Sequence, residues 1–290
     1  MARIAIVGVG AIGGAIAGLL EIAGGHEIIL CTRRPLKQLT VTMLSGAIRP
    51  TAHNVTDPTN AEPVDWVIVA TKAYDAEGAA GWFAALCAKG APVAVVQNGV
   101  EHRERFAPYV HQSRLLPVII DCPVERTADG EVRVRGEARM SVEDTALGHA
   151  FAGLFAGSPA RVEPVADFIT AAWRKLCLNS VGALNALTLR PAGLLRDEAV
   201  GRLAVAMVAE CVAVGRAEGA QLSDTLGEEI LAHYHTHAPD GVNSLLADRM
   251  AGRRMETDAR NGAIVRKGEK HSIPTPLNRM AVTLLDAQQP

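Results

Sequence analysis

The sequence predicts an α/β chain in two parts: a strand-and-helix domain over residues 1–166 and an all-helical domain over residues 167–290. Three observations predict it. Apolar runs of strand length recur through the first half, and such runs suit parallel strands buried on both faces. The first run leads at once into Gly8-Val9-Gly10-Ala11-Ile12-Gly13 and then an Ala/Leu/Ile-rich segment. From about Asp167 the strand-like runs stop and helical periodicity holds to the end.

The opening unit is strand, glycine turn, helix, strand. Residues 4–7 form the first strand, the helix runs to about Ala23, Gly24-Gly25 ends it, and residues 28–30 form the second strand. In a GxGxxG pattern in this setting, Gly8 allows the tight turn, Gly10 lets a pyrophosphate approach the backbone, and Gly13 lets helix pack close to strand. Ala11 and Ile12 open the helix, where exposed N–H groups and a partial positive charge favour phosphates. The expectation is a Rossmann-type dinucleotide-binding domain. The second strand ends in Cys31-Thr32-Arg33-Arg34 rather than in a carboxylate. A carboxylate there would take the ribose 2′-hydroxyl of NAD, whereas a guanidinium pairs with a 2′-phosphate through two parallel hydrogen bonds. Arg33 is the first candidate and Arg34 the second, and NADP(H) is the expected cofactor. A solvated basic turn is the other reading of the same residues.

Residues 40–43 and 48–55 read as short strands. The run 64–70 reads as a buried strand ending at Thr71-Lys72, on the edge where open α/β sheets bind ligands. Lys72 there can reach a cofactor ribose or phosphate, or be a solvated strand end. A helix is expected over 76–88 and a strand over 92–96, which ends in Gln97-Asn98-Gly99-Val100. Asn98 carries donor and acceptor, so it can bind cofactor and substrate together, although Asn-Gly is also a common turn. Residues 115–120 continue the sheet. The segments 131–135 and 137–142 alternate and read as antiparallel strands, followed by a helix over 147–155 and a strand over 160–165. In the second half, helices are expected over 168–189, 197–218, 223–232, 243–252, 256–267 and 274–288.

Hydrophobic residues make up 49% and charged residues 21%, as in a globular protein with two cores. The net charge of −2 argues against a nucleic-acid surface. No apolar run reaches membrane-spanning length, and the chain enters a strand directly without a signal-peptide pattern. The five cysteines (Cys31, Cys87, Cys122, Cys177 and Cys211) form no CxxC and read as buried or free thiols in a reducing, cytoplasmic compartment.

In the helical half, Trp173-Arg174-Lys175-Leu176-Cys177-Leu178-Asn179 places Lys175 and Asn179 on one helix face. Desolvation against apolar neighbours tunes a lysine towards proton transfer near neutral pH. A lysine at the edge of an amphipathic helix would look the same. Farther on, Ser244 could donate to a substrate carboxylate or cap a helix, and Glu256 is expected to open one, where the dipole favours a carboxylate.

These pieces together resemble the ketopantoate reductase (2-dehydropantoate 2-reductase) family over essentially the full length. They are GVGAIGG, Arg33, ATKAYD around Lys72, QNGV around Asn98, WRKLCLN around Lys175, NSLLAD at Ser244, and GRRMETDARNGAIVRKGEKHSIPTPLN around Glu256. The last is the most specific. The resemblance implies an N-terminal Rossmann domain, an all-helical C-terminal domain, and NADPH-dependent reduction of a 2-keto acid to a 2-hydroxy acid. The default reaction is ketopantoate to pantoate in pantothenate and coenzyme A biosynthesis. It implies Lys175 as general acid. Glu256 would hold a substrate hydroxyl or the cofactor side and help set the lysine's ionisation. Asn98, Asn179 and Ser244 would orient substrate, with Asn98 and Lys72 beside the cofactor.

The chain departs from the family pattern at Ala183 and Ala192, where asparagines are usual, so another 2-keto acid is an open substrate; Asn185 is near but turned elsewhere on a regular helix. The alternatives kept are an imine-reducing dehydrogenase and a non-catalytic NADP-binding sensor. His233, His235 and His237 read as a polar loop rather than a metal site. Asn54-Val55-Thr56 matches a glycosylation pattern that matters only on secretion. The apolar helices of the second half could supply a homodimer face.

Overall fold

The computed structural model describes residues 1–236 and 238–289. The chain forms two compact units, residues 1–97 with 102–168, and residues 98–101 with 169–290.

The first unit is α/β. In chain order its elements are β1 (Ala2–Val7), α1 (Ala11–Ala23), β2 (His26–Cys31), β3 (Thr40–Met43), β4 (Gly46–Ile48), β5 (Ala52–Val55), β6 (Trp66–Val69), α2 (Ala76–Ala80), α3 (Phe83–Leu86) and β7 (Val93–Val95). Then follow α4 (His102–Phe106), β8 (Leu115–Asp121), β9 (Val124–Ala128), β10 (Glu131–Val134), β11 (Arg139–Glu143), α5 (Ala146–Gly153) and β12 (Arg161–Val165). Eight strands make the main sheet in the order β12-β11-β8-β7-β6-β1-β2-β5. All its neighbours are parallel except β8 and β11.

Side chains alternate across a strand, so a strand covered on both faces must be apolar throughout. Ile4, Ile6, Ile28, Leu30 and Ile68 pack with α1 on one face. Ala5, Val7, Ile29, Val67 and Val69 pack with Phe83, Leu86 and Phe106 on the other. A second sheet, β4-β3-β10-β9, covers α1. Added Cβ atoms at Gly14 and Gly18 would meet Val132 at 2.7 Å and Val41 at 2.9 Å, so these glycines allow the contact.

Three details depart from the sequence expectation. The helix over 76–88 is two short helices, parted at Gly81-Trp82, where the Trp82 N–H turns to the Ala79 carbonyl. The segments 131–135 and 137–142 are antiparallel strands as expected, but with partners the sequence did not name. The Asp129-Gly130 turn makes β10 a hairpin with β9, a strand the reading missed, while β11 joins the main sheet against β8. Finally, residues 98–101 belong with the helical unit.

The second unit is helical: α6 (Phe168–Thr188), α7 (Glu198–Ala217), α8 (Leu226–Thr236), α9 (Ser244–Met250), α10 (Ala263–Lys270) and α11 (Pro276–Asp286). Its core includes Trp173, Leu176, Cys177, Val181, Met207 and Cys211, and Val100 packs against it. Asp197 caps α7 by accepting from Ala199 and Val200, and the Glu210 carboxylate on α7 accepts from the first backbone N–H groups of α11. After α6, Leu189 takes a left-handed conformation and Asn185 donates to the Arg190 and Pro191 carbonyls at 2.9 Å each, which closes the helix end. The expected helix start at Glu256 is not regular. A π-helical turn, Asp258–Gly262, precedes α10, with the Gly262 N–H reaching the Thr257 carbonyl at 2.9 Å. One extra residue in a turn re-aims the side chains it carries, and such turns concentrate at functional sites.

Candidate active site

In the first unit, parallel register aligns Val7 with Cys31 and Val69, and Val69 with Val95. The loops after β1, β2 and β6 therefore leave one edge of the sheet together. Those loops hold Gly8, Gly10, Arg33 and Lys72, and Ala11, Ile12 and Gly13 open α1 directly after the first of them. Gly8 has φ +94°, and a Cβ there would lie 2.7 Å from the Thr71 backbone nitrogen. A Cβ on Gly13 would lie 2.0 Å from the Gly8 carbonyl oxygen. Gly10 differs: an added Cβ would meet nothing within 4 Å. The protein's own packing does not require a glycine there, whereas a ligand pressed against the backbone would. Gly10 is also the N-cap of α1, with no side-chain cap and no acid in the first turn. These residues fit a dinucleotide's phosphates.

Arg33 is 84% exposed and pairs with Asp75 at 3.0 Å. Its loop is held by Asn54, which donates to the Leu30 carbonyl and Thr32 hydroxyl and accepts from the Leu36 N–H. Gln97, buried at the end of β7, donates to the Thr71 hydroxyl at 3.0 Å and so ties the segment leading to Lys72.

In the second unit, four sequence-predicted residues are joined. The Asn98 amide donates to the Glu256 carboxylate at 3.1 Å, and the Asn179 amide donates to the Asn98 carbonyl at 3.4 Å. Arg260 donates to the Asn179 main-chain carbonyl at 2.9 Å and to the Ser244 hydroxyl at 3.4 Å. Lys175 stands one turn before Asn179 on α6, half-buried. Glu256 is 4% exposed and Arg260 3%. Burial lowers the Arg260 pKa, against the opposing pull of Glu256, Tyr234 and Asp248. Ser244 is not the cap of α9: Asn243 is, accepting from Leu245 and Leu246 at 3.0 Å each. The Ser244 hydroxyl is thereby left to the site.

Residues 98–101 are pinned to the helical unit. Glu101 accepts from Arg266 through both carboxylate oxygens, at 3.1 and 2.6 Å. Gly99, at φ +103°, lies so close to Ala259 that a Cβ would be 2.5 Å from its carbonyl oxygen.

Comparison with known proteins decides the family. The ketopantoate reductase PanE/ApbA model matches residues 4–146, and its C-terminal counterpart matches residues 167–289. The chain belongs to the ketopantoate reductase family. It is 46% identical over 287 residues to the 2-dehydropantoate 2-reductase of Caulobacter vibrioides, covering 99% of both chains. It is 39% identical to the enzyme of that name from Mycobacterium tuberculosis, covering 98% of this chain and 97% of the relative. The crystal structure of a PanE/ApbA-family ketopantoate reductase from Ralstonia eutropha JMP134 superposes with TM-score 0.90 at 33% identity, covering 99% and 98% of the two chains. As a member of the ketopantoate reductase family, the chain is an oxidoreductase acting on CH–OH groups.

Within that family frame, Ala183 and Ala192 are buried and offer no side-chain donor. Asn185 does not replace them, because its amide is spent on the Arg190 and Pro191 carbonyls and its oxygen accepts from Asn243. Sequence reasoning missed Arg260. Its signal was spacing: it lies four residues after Glu256, one helical turn on. It also missed Asn54, noted only for a glycosylation pattern. His235 bonds the Leu195 carbonyl, and His237 lies outside the described residues. Among the described residues no group of three or more His, Cys, Asp or Glu could hold a metal ion, and no helix is long and apolar enough to cross a membrane. Burial pushes the Cys31 thiol up to about 12 and the Cys122 thiol to about 11, so neither is a thiolate near neutral pH.

Proposed function

We propose that the chain catalyses NADPH-dependent reduction of a 2-keto acid to a 2-hydroxy acid, with ketopantoate to pantoate as the default reaction. The observation that carries this reading is the hydrogen-bonded set Asn98, Glu256 and Asn179, with Lys175 one turn away on the helix that bears Asn179.

Bound NADPH would supply the hydride. Gly8, Gly10, Ala11, Ile12 and Gly13 hold its phosphates, Arg33 pairs with the 2′-phosphate, and Lys72 stands beside them. Lys175 gives a proton to the carbonyl oxygen as the carbon is reduced, and its charge stabilises the developing alkoxide. Asn98 and Asn179 orient the substrate, Ser244 donates to its carboxylate, and Glu256 fixes the Asn98 amide and takes a substrate hydroxyl. Ala183 and Ala192 favour testing a panel of 2-keto acids rather than ketopantoate alone.

The test is NADPH consumption by purified protein with ketopantoate and other 2-keto acids, beside Lys175→Ala. The expected result is turnover that falls about 10²–10⁴-fold in the variant while NADPH still binds. NADPH binding without turnover of any member would sink the reductase reading.

A further inference from the structure

A charged side chain in a protein interior loses hydration at a cost that only full pairing repays, and an apolar residue of similar volume often serves structure as well. Arg260 is such a charge. It is 3% exposed, its Nη atoms make the bonds to Asn179 and Ser244, and its Nε is buried with no hydrogen-bond partner among the described residues. Buried donors without partners are uncommon and need a reason. Glu256 and Asp248 oppose the charge, but Asp248 is itself paired with Arg253 at 3.0 Å.

The reason lies in what the guanidinium touches. A serine hydroxyl has one hydrogen to give and two lone pairs to receive. A donor at Ser244 Oγ occupies a lone pair and leaves the hydroxyl hydrogen to point away, and Ser244 is exposed. A fixed cation behind that hydroxyl strengthens it as a donor to anions. The second Nη bond, to the Asn179 carbonyl, holds the turn of α6 that carries the Asn179 amide.

We propose that Arg260 is a positioning residue that selects for an anionic substrate. Acting through the Ser244 hydroxyl and the Asn179 turn, it makes this part of the site a receptor for the carboxylate of a 2-keto acid. The proposal rests on the reductase reading above.

The test uses the full chain as wild type, Arg260→Met, Arg260→Lys and Ser244→Ala. Binding of pantoate, lactate and 2-hydroxyisovalerate, each beside its neutral primary amide, is measured by calorimetry, with NADPH turnover of the matching keto acids followed separately. Wild type should bind an acid better than its amide. Arg260→Met should weaken the acid about ten- to hundredfold and leave the amide within about threefold, raising KM more than it lowers kcat. Arg260→Lys should recover part of the preference, and Ser244→Ala should lose it. Equal weakening of acid and amide, or a wild type with no preference for any acid, overturns the proposal. If thermal unfolding shows that Arg260→Met does not fold, the contrast of the lysine and Ser244→Ala variants decides: an unchanged acid preference in Ser244→Ala overturns it. Selective binding without wild-type turnover would sink the reductase reading alone.

Discussion

The amide of Asn98 donates to the buried carboxylate of Glu256 at 3.1 Å, joining residues 158 positions apart. Asn98 sits in a four-residue segment that belongs with the helical unit, although the chain enters it from β7 and leaves it into α4. The bond therefore depends on how that segment is seated, and Gly99 and Glu101 seat it.

Gly99→Ala should damage both stability and activity. An alanine at φ +103° is strained, and its Cβ would stand 2.5 Å from the Ala259 carbonyl oxygen. The expected cost is roughly 1–3 kcal/mol, which lowers Tm by about 2–4 °C per kcal/mol. The shifted backbone should also carry the Asn98 amide away from Glu256 and reduce kcat/KM. Thermal unfolding and steady-state rates check both, and an unchanged kcat/KM would show that the placement of Asn98 does not matter to turnover.

Glu256→Gln keeps the side-chain shape, and the new amide oxygen can still accept from Asn98. What it removes is the negative charge facing Arg260. Hydrogen bonds to charged groups contribute about 1.5–3 kcal/mol, so kcat/KM is expected to fall about ten- to hundredfold, with the fold retained by circular dichroism. Activity equal to wild type would remove Glu256 from the proposed machinery.

Arg33→Ala should separate the two nicotinamide cofactors. At 84% exposure, the pair that Arg33 makes with Asp75 is weak and readily exchanged for a phosphate. Loss of a guanidinium–phosphate contact should weaken NADPH about ten- to hundredfold and NADH by less than about threefold. Fluorescence titration of both cofactors measures this, and equal weakening would reassign the contact.

The first unit was legible because its signals are local. A strand buried on both faces is apolar at every position, and GxGxxG after such a strand specifies turn and helix together. The helical half was legible as periodicity, and Lys175 and Asn179 as a one-turn spacing. Relationships set by tertiary packing were not legible. Nothing near Asn98 states that residues 98–101 pack with the helical unit. The irregular turn at Asp258–Gly262 has no period to detect. Arg260 was passed over because a charged residue near Glu256 reads as exposed until its burial is known. The two segments after Asp129 were legible as strands, but alternation reports strand character and not the strand's partner.

Acid should uncover one more dependence, at Glu218 where α7 ends. Lys267, Lys270 and His271 converge on its carboxylate at 3.0, 2.8 and 2.5 Å. Burial alone would raise its pKa, but hydrogen bonds from Lys270, His271 and Lys267 outweigh that and hold it at about 2 rather than 4.5. A carboxylate depressed on folding contributes stability that is complete above its unfolded pKa and disappears as pH falls through the folded one. The window is therefore from about pH 4.5 down to about 2, and the shift corresponds to at most about 3.5 kcal/mol before solvent screening reduces it. Glu218→Gln should lower the urea midpoint at pH 7, and its stability should fall less steeply than wild type between pH 4.5 and 2. Parallel acid profiles for the two proteins would mean that the tie between α7 and α10 rests on packing rather than on this charge.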